Sequence, residues 1–162
     1  NDLNKSDFLS IFGNVFEKTE SVALETFESK PFKNFEEIMF KMLNIYENYK
    51  KDKILEILNA HPELAVAKRM TSESISEQAS AKLNECSNQE YEEFKKLNLE
   101  YKKKFNFPFI IAVKGKNKNE ILNNFRQRIQ SDVESEFLEA KKQVKKIATF
   151  RLNEINNKWK IL

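Results

Sequence analysis

Asn119-Glu120-Ile121-Leu122-Asn123-Asn124-Phe125-Arg126-Gln127-Arg128-Ile129, followed by Gln130-Ser131-Asp132-Val133-Glu134-Ser135-Glu136-Phe137-Leu138-Glu139-Ala140, decides the fold class. Ile121, Leu122, Phe125 and Ile129 recur at helical spacing, and so do Val133, Phe137, Ala140, Val144, Ile147, Ala148 and Ile155. Ser131-Asp132 breaks the pattern, so two helices can pack as a pair. With only two glycines and three prolines in 162 residues, the chain lacks the turn chemistry of an all-β protein.

Upstream the same period returns. Ser6 can cap a first helix whose stripe is Phe8, Ile11, Phe12, Val15 and Phe16. Ser21 to Ser29 reads as helix and is punctuated by Pro31; Asn34 opens another, with Phe35, Ile38, Met39, Met42 and Tyr46 on one side. Lys53 to Ala60 is a short helix that must end before Pro62, because the residue preceding proline avoids the helical region. Pro62 suits the first position of a following helix, which makes His61 a helix-entry residue. Ser74 to Asn84 and Asn88 to Lys103 complete the set, the latter placing Tyr91, Phe94, Asn98, Tyr101 and Phe105 on one face. Phe107 to Val113 is apolar throughout and reads as a buried extended segment or a short strand. The expected architecture is all-α: residues 1–162 as a single-domain bundle of about eight helices with one irregular apolar segment, 107–113.

The 14 phenylalanines predict an aromatic-rich core. Charged residues nearly cancel, leaving a net charge of +3, which argues against a nucleic-acid binder with its excess charge on one face. The longest apolar run is far short of the roughly 20 residues of a membrane helix. The N-terminus shows no signal-peptide pattern, and the one cysteine, Cys86, excludes an internal disulfide framework. The chain is therefore expected in a reducing interior, acting without membrane or nucleic-acid partners.

His61 is the only histidine and the one side chain whose ordinary pKa suits proton exchange near neutrality. At a helix N-terminus the macrodipole would keep its ring neutral; equally, it could simply cap or pack there. Ser74, Glu77 and Gln78 share a helix face, where carboxylate and amide could clamp a urea-like substrate, although Ser-x-x-Glu is also a capping-box signature. Arg151, flanked by apolar residues, is either an anion receptor or a surface ion pair. No spacing of metal ligands and no glycine-rich phosphate loop occurs.

Five pieces in order resemble the 2-oxo-4-hydroxy-4-carboxy-5-ureidoimidazoline (OHCU) decarboxylase family. They are Phe12-Gly13-x-x-Phe16-Glu17, His61-Pro62-Glu63-Leu64, Ser74-x-x-Glu77-Gln78, Asn98-x-x-Tyr101-x-x-x-Phe105-x-Phe107-Pro108-Phe109-Ile110, and Lys146-Ile147-Ala148-x-x-Arg151-Leu152. The resemblance implies a carboxy-lyase of urate degradation that needs no cofactor and no metal. It implies His61, Glu77 and Arg151 as catalytic residues. Pro62, Ser74, Gln78 and the segment Phe109, Ile110, Ile111, Ala112 and Val113 would bind a small ureidoimidazoline substrate. A homodimer is implied as well, and a cytoplasmic location is favoured, since Trp159-Lys160-Ile161-Leu162 is not the peroxisomal Ser-Lys-Leu address. The chain departs from the family pattern at Ser80 and Lys82, both usually glycine, and at Asn106, another glycine position. A non-enzymatic helical interaction module, or a lyase or hydrolase acting on a related ureido compound, is the competing expectation.

Overall fold

The computed structural model describes residues 2–65 and 71–159. Among them every regular element is helical. They are α1 (Lys5–Phe12), α2 (Ser21–Glu28), α3 (Phe35–Glu47), α4 (Lys51–Ala60), α5 (Ser72–Ser80), α6 (Asn88–Phe105), α7 (Lys118–Arg128) and α8 (Val133–Trp159), with one 3-10 turn at Leu83–Glu85. The all-α expectation holds, with eight α-helices among the described residues. The contacts group into two compact units, Asn1–Ala60 with Val144–Leu162, and His61–Gln143.

In the first unit, α1 is capped by Asn4 rather than by the expected Ser6. Asn4 has extended backbone and its side chain accepts from the Asp7 amide at 2.9 Å, while Ser6 lies inside the helix. The helix starts two residues earlier because a better cap precedes it. Phe8 and Phe12 are buried with their ring centroids 4.5 Å apart, and Phe16 stacks on Tyr46 at 4.8 Å. Each such ring removes apolar area worth about 1.5–3 kcal/mol from water. Gly13 ends α1 where a Cβ would stand 2.4 Å from the Leu9 carbonyl, so close backbone approach excludes a side chain there. Asn34 caps α3 as expected, its Oδ1 accepting from Glu37 N at 2.9 Å.

The second unit departs further from expectation. No helix starts at Pro62: residues 62–65 are irregular, and Ala65 takes a positive φ of 54°. The rest of the helix expected there falls on 66–70, outside the described residues. The helix expected over Ser74 to Asn84 is α5, Ser72–Ser80, which stops because Lys82 turns left-handed at φ 57°. Helix α6 ends at Asn106, also left-handed at φ 63°. Lys82 and Asn106 are two of the three departures from the resembled pattern, which has glycine there, the residue that takes this conformation without steric cost. Asparagine adopts it at lower cost than lysine. Lys82→Gly is therefore expected to stabilise the protein by about 0.5–1 kcal/mol. That is the balance of a left-handed penalty of about 1–2 kcal/mol against the extra unfolded-state freedom of glycine. Urea denaturation measures it, and a net loss of stability would show that the Lys82 side chain makes compensating contacts.

The segment 107–113 is neither helix nor strand, and all of its residues are buried. The Phe109 ring stacks on Phe125 at 3.9 Å and receives the edge of Tyr101 at 5.3 Å, so its side chain belongs to the core of this unit. The break at Ser131-Asp132 is as expected. Asp132 opens α8 by accepting from the Ser135 amide at 2.9 Å, a bond that holds its carboxyl below the usual range.

Candidate active site

His61 follows directly on the last residue of α4 and is 8% exposed. This corrects its expected setting at a helix N-terminus. The carbonyl end of α4 precedes it, and that end of a helix dipole supports a cation instead of opposing one. Dipole-enforced neutrality of the ring therefore has no basis among the described residues.

The backbone after His61 is held by amide side chains from two helices. Gln78 of α5 accepts from the Ala65 amide at 3.1 Å and donates to the Glu63 carbonyl at 3.2 Å. Asn98 of α6 donates to the Leu64 carbonyl at 3.0 Å. Both amides are buried, where an unpaired polar group would be costly, so these bonds restrain Glu63 to Ala65 and with them the placement of His61. Gln78, expected as a substrate ligand, also braces the histidine loop.

Ser74 and Gln78 are buried and Glu77 is half-buried, so the face predicted from their spacing points inward. The capping-box reading of Ser74 and Glu77 fails. Thr71 is the cap, with extended backbone and a hydroxyl that accepts from Ser74 N at 3.3 Å, and Ser74 sits within the first turn. Two hydroxyl residues three apart competed for the cap, and the extended backbone falls at the first. Thr71→Ala is accordingly expected to cost about 1 kcal/mol of stability. Glu77→Ala should lower turnover, with a smaller fall in thermal midpoint than that of Thr71→Ala. A fall in midpoint equal to that of Thr71→Ala would return Glu77 to a structural role.

Helix α6 joins the histidine loop to the apolar segment. Asn98 bonds the loop, and one turn later, on the same face, Tyr101 meets Phe107 and Phe109 at 5.9 and 5.3 Å between ring centroids. Loop 61–65 and segment 107–113 thus approach adjacent turns of one helix. Around the segment, Arg128 donates to the Ile110 carbonyl at 2.8 Å, and Gln143 accepts from the Ala112 amide at 2.9 Å. Arg128 also donates to Glu136 at 2.9 and 2.6 Å, and the Tyr101 hydroxyl bonds the same carboxylate. Burial, reinforced by that carboxylate, pushes the Tyr101 phenol far up, so it remains a donor.

Arg151 belongs to the first unit. Its guanidinium donates to Glu17 at 3.1 Å and to the Asn14 carbonyl at 3.0 Å, with both charged side chains almost completely buried. The surface ion pair weighed for it is thus a buried one. Cys86 is half-buried, donates to the Leu83 carbonyl at 3.2 Å, and has its thiol pushed up by burial, which disfavours the nucleophilic thiolate. Sequence spacing did not reveal Arg128, Glu136 or Gln143, because nothing periodic links them to the segment they hold. Glu17 lay in a quoted motif, but its partner stands 134 residues away.

No helix among the described residues is long and apolar enough to cross a membrane. The OHCU decarboxylase family model matches residues 1–153. The chain is 36% identical to the 2-oxo-4-hydroxy-4-carboxy-5-ureidoimidazoline decarboxylase of Haloferax volcanii, over 95% of this chain and 92% of that one. It is 37% identical to the uric acid degradation bifunctional protein of Bacillus sp. (strain TB-90), over 96% of this chain but only 31% of that protein's length. A crystal structure of OHCU decarboxylase in the presence of (S)-allantoin matches with a TM-score of 0.74 at 24% identity, covering 94% of this chain and 98% of that one. A crystal structure of (S)-allantoin synthase matches at 0.72 and 28% identity, over 94% of this chain and 51% of that one. On its sequence match and its fold, the chain belongs to the OHCU decarboxylase family, carboxy-lyases of urate degradation.

Proposed function

We propose that this chain decarboxylates OHCU to (S)-allantoin and carbon dioxide, with His61 as its proton-transfer residue. The observation that carries the reading is the approach of the His61 loop and the 107–113 segment to adjacent turns of α6, in a chain of this family. The substrate carries a carboxylate and a hydroxyl on one ring carbon, next to a carbon doubly bonded to nitrogen. When the carbon–carboxylate bond breaks, its electron pair moves toward that imine, so the substrate contains its own electron sink. The imine nitrogen takes up one proton from solvent, the hydroxyl loses its proton to become the ring carbonyl, and the ureido-bearing carbon gains one, so that one proton is consumed for each carbon dioxide released.

The work left to the protein is orientation and proton transfer. His61 in its neutral form accepts the hydroxyl proton. Glu77 and Gln78, with Ser74 and Pro62, line the ureido side. The backbone of Phe109 to Val113 offers donors and acceptors beside apolar groups, and low polarity favours loss of the carboxylate charge as carbon dioxide. The family resemblance adds Arg151 as an anion receptor, and its bonds to Glu17 and Asn14 supply the fixed orientation such a receptor needs. The same resemblance extends the reading to a homodimer in the cytoplasm, the first of which light scattering checks.

The test generates OHCU in place from urate with urate oxidase and hydroxyisourate hydrolase, and follows circular dichroism as the protein is added. Rapid growth of an (S)-allantoin signal is expected. A rate equal to spontaneous decay, ending in racemic product, would sink the proposal and favour the interaction-module alternative.

A further inference from the structure

Arg128 ends α7 with a buried guanidinium 4.5 Å from the centre of the Phe109 ring. A buried ion pair is weak support for stability, since well-packed apolar residues often serve as well. What the Arg128–Glu136 pair supplies is direction. Nε and Nη2 of Arg128 both donate to one oxygen of Glu136, and that fork leaves Nη1 aimed at the Ile110 carbonyl 2.8 Å away. Tyr101 holds the same carboxylate oxygen from α6.

In a trans peptide plane the carbonyl and the following N–H point in opposite directions. Fixing Ile110 C=O on Arg128 therefore turns Ile111 N–H away from it. The next plane is fixed from its other end, because Ala112 N–H donates to Gln143 at 2.9 Å, which turns Ile111 C=O away from Gln143. Two side chains on α7 and α8 thus set both peptide planes flanking one residue.

We propose that Arg128, oriented by Glu136, and Gln143 are positioning residues for substrate. They lock the two peptides around Ile111 so that its N–H and C=O face the ureido or ring-amide edge, a donor and an acceptor meeting an acceptor and a donor. The inference rests on the proposed decarboxylation.

The experiment is steady-state kinetics on in-situ OHCU with purified full-length variants, assayed well below their thermal midpoints. Arg128→Lys keeps the charge opposite Glu136 but cannot span carboxylate and carbonyl together. Gln143→Ala removes the acceptor for Ala112 N–H at a half-buried position and decides the matter if Arg128→Lys does not fold. Met42→Ala, in the core of the first unit, supplies a loss of stability remote from the segment. The expected result is KM raised at least tenfold in Arg128→Lys and Gln143→Ala, with KM in Met42→Ala within twofold of wild type. A KM within twofold of wild type in Gln143→Ala, or a change in Arg128→Lys no larger than in Met42→Ala, would overturn the inference alone. An inert wild type would overturn the proposed decarboxylation, and this inference with it.

Discussion

Replacing His61 with alanine is expected to lower kcat for OHCU by about 10²–10⁴-fold, the range that positioned acid–base groups contribute. The thermal midpoint should fall by only a few degrees, because Gln78 and Asn98 hold the loop through backbone groups that the substitution does not touch. Any residual product should be racemic, since spontaneous protonation has no preferred face. His61→Asn sharpens the test, as an amide can hydrogen-bond a substrate hydroxyl but cannot take its proton. If proton transfer is the role, the asparagine variant is as slow as the alanine variant. A rate within tenfold of wild type for His61→Asn would reduce His61 to an orienting group. Stopped-flow circular dichroism on substrate generated from urate measures both.

The second large effect lies in the first unit. Glu17→Ala leaves the Arg151 guanidinium, 4% exposed, without its carboxylate, and should destabilise the protein by about 3–5 kcal/mol. For a chain of this length that is a drop in Tm on the order of 10 °C. The double variant Glu17→Leu, Arg151→Met should recover much of that loss, because replacing both charges removes the desolvation cost together with the attraction. Stability and activity then separate. If Arg151 is an anion receptor, the double variant is stable but inactive; if the pair serves only the fold, the double variant regains turnover. Thermal unfolding read beside kcat/KM distinguishes the two. A Glu17→Ala midpoint within about 2 °C of wild type would show that the pair contributes little.

Much of this was legible in the chain itself. Helical periodicity placed α2, α3, α6, α7 and α8, because an amphipathic stripe is a local pattern that needs no knowledge of its partner. Asn34 was recognisable as a cap for the same reason, since cap and helix lie within four residues. The family motifs carried His61, Glu77 and Gln78 into view. Ser6 and Ser74 read as caps in the sequence, whereas Asn4 and Thr71 cap the helices, because residue type alone does not say where extended backbone ends.

The sequence by itself determined an all-α chain and pointed to its family and to the lone histidine. Only the tertiary structure showed that His61 follows the carbonyl end of a helix, and that Gln78 supports its loop. Only it paired Arg151 with Glu17, and drew Arg128, Glu136 and Tyr101 around the Ile110 carbonyl. The reason is physical. Periodicity and capping are settled within a few residues, whereas a buried polar group takes whichever partner the fold brings near it, at any distance along the chain.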